Sequence, residues 1–276
     1  MKSLKFVITG ILVTVLSMMG QNAFSQSVLD PRVVVSKDHV RYSDLMWMKR
    51  VWRQIDLRQK INHPLYFPDR PSNGRMSFFD SIKDAAMNGD LVAYNPGALG
   101  EDDMLTKPYN ILQLDSIFNP VTTVKQVDPY TLLESDVEIS DPLVSSDVIM
   151  YEVKEDWFFD NERSVMEVRI VGICPMIRVS DSETGEFRGY KRLFWLNYSE
   201  LRHQMINWQV YTSRNDVHPV TFDDLFNKRM FESLVIKESN VYDRYINQYA
   251  AGEDALLESD RIERQLLEME HDLWSY

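Results

Sequence analysis

Two long apolar segments in the middle of the chain restrict its fold more than any other feature. Residues 148–159 and 165–179 are rich in Val, Ile, Met and aromatic side chains, and the polar residues 160–162 separate them. Runs of this composition joined by a short polar turn predict an antiparallel hairpin. A longer turn at 180–187 leads to a third apolar segment at 190–197. The sequence therefore predicts an antiparallel β meander.

Helices are predicted on both sides of the meander. Apolar spacing and capping residues place helices at about 43–61, 77–88, 198–206, 221–231, 241–251 and 254–274, with short strands at 91–94 and 234–236. The first helix follows from Leu45, Met48, Trp52 and Ile55, whose spacing puts them on one helical face. The predicted fold class is α+β, an antiparallel β meander in the middle of the chain flanked by N-terminal and C-terminal helices.

The last predicted helix has an apolar seam, formed by Ile262, Leu266, Met269 and Leu273. The steps of four, three and four residues resemble those of a coiled coil, but two heptads are too few for a free one. The seam packs either on its own domain, which we favour, or on a partner.

Pro175 and Cys174 lie together inside the second apolar run. Because proline cannot donate to a β ladder, Pro175 predicts a bulge or an edge position in the middle strand of the meander. Cys174 is the one cysteine of the chain, so no internal disulfide is possible. We interpret it as a buried, inert thiol, with a nucleophile as the alternative.

The N-terminus has the pattern of an export signal. Two lysines precede the apolar run 6–19, and residues 23–25 place small side chains before a predicted cleavage site at Gln26. The run is shorter than the ~20 residues of a membrane-spanning helix, although an uncleaved anchor is the alternative. Residues 1–25 are thus predicted to be a signal peptide, which would place the mature protein outside the cytoplasm without direct membrane insertion.

The mature chain is predicted to consist of an arm and one domain. Residues 26–41 form an extended N-terminal arm, and residues 42–276 form a single α+β domain, with a variable acidic loop region at about 97–143. The arm contains apolar residues without helical periodicity or a hairpin signal. Such a strip can add to the sheet edge or groove of a neighbour, while a disordered tail is the alternative.

Charge restricts the class of partner. The net charge is −12, and removal of the signal peptide makes it −14 because that segment contains two lysines and no acid. A negative surplus repels phosphate backbones and anionic lipid, so nucleic acid is not an expected partner.

The common signatures of catalysis do not occur in the sequence. It has no G-x-S-x-G, H-E-x-x-H or P-loop motif, and its five histidines are far apart. Asp181, Glu183 and Glu186 loosely resemble a calcium loop but lack the EF-hand pattern, so we interpret them as an exposed turn. We expect no catalytic residue, metal or cofactor. A carboxylate-dependent periplasmic or secreted hydrolase is the alternative, and a carbohydrate-binding module is a third possibility.

Aromatic and apolar residues are the candidate partner contacts. Tyrosine and tryptophan dominate the binding energy of many interfaces, and the extended arm has a run of valines. The predicted partner-interface residues are Val33, Val34, Val35, Trp47, Trp52 and Trp274.

Several long segments in one order resemble a known family. These segments are residues 53–62, 75–80, 154–159, 169–175, 193–195, 226–231 and 237–246. With them the chain resembles the gliding-motility protein GldN family, called PorN in non-gliding Bacteroidetes, over essentially the whole mature sequence. The variable region 97–143 adds nothing to the resemblance.

The resemblance implies a structural subunit of the type IX secretion system, which in many members also supports gliding. Members are periplasmic and bind the outer-membrane lipoprotein GldK (PorK). Together they form a ring by self-assembly under the outer membrane. This ring contacts the periplasmic domain of the motor protein GldM (PorM). The family brings no catalytic or cofactor residues.

The cleavage prediction can be tested by mass. We expect the intact mass of the exported protein to correspond to a chain that starts at Gln26 or within two residues of it. A species that keeps Met1 and fractionates with the inner membrane would contradict the prediction.

Overall fold

The structure is a computed structural model that describes residues 33–72, 74–98, 100–127, 134–181, 184–210 and 220–274, with the backbone alone at 122–127, 134–139 and 273–274. The predicted signal peptide and the first part of the arm lie outside the described residues. The helices are α1 (His63–Tyr66), α2 (Phe78–Asn88), α3 (Ile111–Phe118), α4 (Tyr198–Met205), α5 (Phe222–Asn227) and α6 (Glu253–Trp274). The strands are β1 (Leu45–Asp56), β2 (Ala93–Tyr94), β3 (Val121–Val127), β4 (Glu134–Ser140), β5 (Val148–Asp160), β6 (Val165–Ser180), β7 (Phe187–Arg192), β8 (Trp195–Asn197) and β9 (Leu234–Glu238).

The predicted meander forms the centre of the main sheet. β5 and β6 pair antiparallel from Val148–Ile177 to Asp160–Val165, and the third predicted strand is divided into β7 and β8, which both pair with β6. The strand order is β2-β8-β6-β5-β1-β9, with β7 beside β6. The α+β class is therefore confirmed.

The first predicted helix is wrong, because residues 45–56 form the central strand β1. This strand pairs with β5 on one side and β9 on the other. Both of its faces are covered, and Val51, Trp52 and Arg53 are all buried in succession. A strand buried on both faces lacks strict alternation of apolar and polar residues, so its pattern was mistaken for a helical one.

Two further segments differ from the prediction. The predicted helix at 241–251 is a turn followed by a short 3-10 helix, because the Asn240 side chain accepts hydrogen bonds from the backbone N–H groups of Tyr242 and Arg244. The region 97–143, predicted as a variable acidic loop, contains α3 and the β3–β4 hairpin. Leu114 of α3 is buried in the core.

Pro175 lies in the interior strand β6, so the predicted edge position is wrong. Its carbonyl accepts a hydrogen bond from the N–H of Leu193 at 3.0 Å, in the break between β7 and β8. The backbone nitrogen of Pro175 faces the same break between β7 and β8. Its lack of an N–H therefore removes no hydrogen bond from the ladder. The predicted bulge lies close by, since the pairing register shifts between Val148 and Met150.

Capping places the helices that cover one face of the sheet. The Ser77 hydroxyl accepts a hydrogen bond from the N–H of Asp80 and begins α2, and Gly89 ends it in the left-handed conformation. Thr221 and Asp224 form a capping box that begins α5. The core beneath these helices includes Ile55, Phe78, Phe79, Tyr151, Val153, Ile173, Leu196 and Phe226.

The long helix α6 packs on its own domain through part of its predicted seam. Ile262 and Leu266 are buried in a second cluster with Val51, Trp157 and Val235. The Ser259 hydroxyl accepts a hydrogen bond from the N–H of Val235 at 3.0 Å, so α6 also covers the free edge of β9.

Gly172 permits a close contact that the sheet needs. A Cβ atom at this position would lie 3.1 Å from the Leu196 carbonyl oxygen and 3.3 Å from the ring of Trp195. We expect Gly172→Val to lower the free energy of unfolding by about 1–3 kcal/mol, because the side chain would force apart β6 and β8. Urea denaturation would measure the change.

Gly172→Ala is the matched comparison for this experiment. Its smaller side chain should cost less than valine does, so equal stability of the wild type and the valine variant would contradict the contact.

Candidate partner interface

The sheet face opposite the helices carries a buried row of charged and aromatic side chains, which we call the polar face. Its members are Trp52, Glu152, Lys154, Arg192 and Lys237. The register puts Lys237, Trp52 and Lys154 opposite one another on β9, β1 and β5. Two ammonium groups that would be costly to bury alone therefore lie on either side of the Trp52 ring.

Aromatic rings and carboxylates hold the two lysines of the polar face. Lys237 Nζ lies 4.4 Å from the ring centre of Trp52 and 4.7 Å from that of Tyr245, and it pairs with Asp243 at 2.6 Å. These contacts combine a cation–π interaction with an ion pair. They attach the loop that follows β9 to the sheet.

The second lysine attaches another loop. Lys154 Nζ donates to the backbone oxygen of Asp103 at 2.9 Å, and its distance to the Asp103 carboxylate is 3.3 Å. The Trp52 indole N–H donates to the same carboxylate at 2.7 Å. Burial lowers the pKa of Lys154, and the Asp103 carboxylate opposes that shift.

Glu152 is fully buried and is neutralised by Arg192. The two side chains approach to 2.5 Å, and the Tyr245 hydroxyl lies 3.5 Å from the carboxylate. Burial raises the pKa of Glu152, and Arg192 opposes the shift. Cys174 beside it is fully buried, and burial raises the pKa of its thiol well above the ordinary value. The interpretation of Cys174 as buried is confirmed, and this thiol is poorly suited to act as a nucleophile.

An open cleft lies over this face. It is lined by Met48, Arg50, Trp52, Asp103, Met104, Lys154, Ser239 and Asp243. Asp103 and Asp243 pair with the two lysines, and Arg50 pairs with Asp156 at 2.5 Å. The charged side chains of the cleft thus pair with one another and hold together the segments that line it. Among the described residues no group of three or more His, Cys, Asp or Glu could hold a metal ion.

A second ion network, on the helical face, joins α6 to the sheet. Glu155 is fully buried and accepts two hydrogen bonds from Arg229 at 2.9 and 3.2 Å and one from the Trp157 indole at 3.1 Å. Arg53 lies 3.4 Å from the same carboxylate and binds Glu263 of α6 at 2.9 Å. Glu155 is therefore contacted by three side chains, Arg53, Trp157 and Arg229, and Arg53 extends the network to α6.

The structure has two exposed surfaces outside the cleft, and the sequence interpretation did not predict either of them. The first, the β7 patch, consists of Arg178, Phe187, Tyr190 and Lys191. The second, the α6 outer face, consists of Leu256, Asp260, Leu267 and Glu268. A signal was present in the sequence, since the β7 segment combines two aromatic and three basic residues in an acidic chain.

The structure separates the predicted interface residues. Val33 and Val35 are exposed, and Val34 is half-buried. Trp47 packs against the α6 core, whereas Trp52 is buried in the polar face. Trp274 ends α6, but its side chain lies outside the described residues. A direct partner contact by these residues stays a prediction.

The last part of the arm is fixed to the sheet. Arg169 donates to the backbone oxygen of Asp38 at 2.6 Å, and Arg163 pairs with the Asp38 carboxylate at 2.6 Å. Val35, three residues earlier, is 77% exposed. The fixed end and the exposed valine together leave an apolar strip available for contact.

Removal of the Glu155 carboxylate should destabilise the protein. We expect Glu155→Ala to lower the free energy of unfolding by about 3–5 kcal/mol, since the largely buried Arg53 would keep only Glu263 as a counter-charge and Arg229 and the Trp157 indole would lose their acceptor. Thermal and urea unfolding would measure the loss.

Arg58→Ala is the control, because the Arg58–Asp56 pair is exposed and should contribute about 0–1 kcal/mol. Equal effects of the two substitutions would contradict the role of Glu155 as a shared centre.

Comparison with known proteins identifies the family of the chain. Among the described residues no helix combines the length and apolar content of a membrane span. A search of curated proteins gives no match. Residues 40–275 match the sequence model of the family described as "Gliding motility associated protein GldN", a match that begins after most of the extended arm. The chain therefore belongs to the GldN family and is a component of the gliding motility and type IX secretion machinery.

Proposed function

We propose that this protein is a non-enzymatic ring subunit of the type IX secretion and gliding machinery. It is periplasmic, binds an outer-membrane lipoprotein of the GldK (PorK) kind, and contacts the periplasmic domain of the motor protein GldM (PorM). The family match across residues 40–275 carries the proposal. The ring and these partners are what the family resemblance implies.

The surfaces of the molecule support a subunit that assembles. A head-to-tail contact uses two different surfaces, and such contacts generate rings when the rotation closes. The β7 patch and the α6 outer face are two separate exposed surfaces with large apolar side chains. Tyr, Phe and Arg, which the β7 patch contains, are typical of protein interfaces.

The charges of the cleft support a structural role more than a hydrolytic one. A hydrolase needs a carboxyl group placed to exchange protons with a substrate. Here Asp103 and Asp243 are engaged by Lys154 and Lys237, and Glu152 is buried against Arg192. These contacts fix the loops above the sheet, which a rigid assembly subunit requires.

The extended arm is our candidate for the lipoprotein contact. Burial of the side chains of Val33, Val34 and Val35 in a partner groove would contribute about 4–6 kcal/mol before the cost of ordering the arm. The anchor at Asp38 keeps the end of the arm in place beside the three valines.

Deletion of residues 28–36 tests the arm. We expect the truncated protein to fold with native circular dichroism, because the deletion ends before the anchor at Asp38. It should fail to enter the large complex with the lipoprotein, since the apolar strip is lost. Gentle detergent extraction of envelopes and identification of the co-purifying proteins would measure assembly.

A variant of equal length, with Ser and Gly at 28–36, separates the role of the side chains from that of chain length. Entry of either variant into the complex at wild-type stoichiometry would show that the arm is not the contact. If the full-length protein never co-purifies with an outer-membrane lipoprotein, the proposed function is wrong.

A further inference from the structure

We infer that the β7 patch of one copy docks on the α6 outer face of a second copy, so that these two surfaces form the subunit contact of the ring. The inference rests on the proposed function, because that function requires copies of the chain to associate. It adds which residues meet.

The β7 patch is a preformed aromatic and cationic surface. Phe187 and Tyr190 pack edge to face with ring centres 5.0 Å apart, and the Arg178 guanidinium lies 5.1 Å above the Phe187 ring. Phe187 is 50% exposed and Tyr190 is 38% exposed. Aromatic side chains lose little conformational entropy when they are buried in an interface, and the Arg178 guanidinium is already stacked on one of them.

The charge of the β7 patch is not neutralised inside the molecule. Arg188 pairs with Asp181, and Arg192 pairs with Glu152. Arg178 and Lys191 have no ion pair with any residue in the described parts of the chain.

Arg178 is opposite Tyr190 in the register and lies on the face of the two rings, whereas Lys191 is opposite Ile177 and lies on the other face of β7. The two free cations thus flank the exposed rings of this outer strand, which fits an acidic surface with apolar side chains.

The α6 outer face has the matching chemistry. Leu256 and Leu267 are separated by about three helical turns, so they lie on one side of α6, and they are 52% and 55% exposed. This side lies next to the one that carries the buried Ile262 and Leu266, about 80–100° around the helix axis from Leu266. Asp260 is one helical turn after Leu256, and Glu268 directly follows Leu267 toward the solvent side of the helix; neither acid forms an ion pair among the described residues.

Charge complementarity identifies the occupant as a second copy. The helix α6 contains eight acidic residues and two arginines, whereas β7 contains three basic residues and no acid. Two α6 faces would repel each other, and so would two β7 patches. A contact between unlike surfaces brings opposite charges together and covers apolar side chains on both copies.

The two surfaces lie toward opposite sides of the main sheet. β7 pairs with β6, while α6 covers β9, and the strands β5 and β1 lie between β6 and β9. Four strand spacings separate β7 from β9, or roughly 19 Å. Surfaces on opposite sides cannot meet within one molecule, so their pairing links copies head to tail, as a ring requires.

Cross-linking in envelopes of the native host tests the inference. The variant Glu186→Cys with His271→Cys places exposed thiols beside the two surfaces and keeps their aromatic and leucine side chains; treated with a flexible bismaleimide, it should give a ladder of covalent oligomers larger than dimers. Cys174 is buried and should not react. In this background, Arg178→Glu with Lys191→Glu should reduce the ladder about tenfold, because like charges would face each other across the contact.

The reversal on the other surface gives the matched result. Asp260→Lys with Glu268→Lys should reduce the ladder by the same factor, and both reversals in one chain should restore it, because the charges are complementary again. Arg70→Glu with Lys107→Glu makes the same change of net charge as the β7 reversal, at exposed residues that belong to neither surface, and should have no effect.

Each outcome bears on one of the two proposals. The inference is overturned if the doubly substituted cysteine variant gives no ladder, or if the ladder persists with either single reversal at normal protein abundance. Co-purification of the lipoprotein is measured in the same envelopes. Its failure with the wild-type chain contradicts the proposed function, whereas its success without the ladder contradicts the inference alone.

Discussion

The buried carboxylate of Glu155 is the interaction on which the position of α6 against the sheet depends. It is fully buried in β5 and is bound by Arg229 from the loop after α5, by the Trp157 indole, and by Arg53 of β1. Arg53 also reaches Glu263 of α6. A buried charge is tolerated only when several partners satisfy it, so this centre fixes the position of α6 against the sheet. Because α6 is fixed in this way, the position of the α6 outer face on the molecule is fixed as well.

The opposite face of the sheet obeys the same constraint. Lys154 and Lys237 are buried, and their carboxylate partners Asp103 and Asp243 come from two loops. Each loop is held because the lysine beneath it needs a counter-charge. The two networks attach two loops and α6 to β1 and β5, one network on each face of the sheet.

The sequence predicted the elements whose signals are local. The β5–β6 hairpin, the capped helix after Ser77 and the seam of Ile262 and Leu266 follow from composition, capping and spacing. β1 was predicted as a helix because a strand covered on both faces loses its alternation. The polar face could not be predicted at all, since Lys237, Trp52 and Lys154 meet only through the pairing of three strands far apart in sequence.

The sequence does not show which tryptophans are buried by strand pairing, so a tryptophan alone does not identify an interface. Trp52 is enclosed by lysines and Asp103, so its size serves the interior of the sheet. The exposed rings of Phe187 and Tyr190 lie on a strand whose unbalanced charge is positive, in a chain whose net charge is −12. In an acidic protein, a small basic surface on one copy attracts the acidic surfaces of other copies. The distribution of charge, more than the number of aromatic residues, therefore points to how copies of this chain would associate.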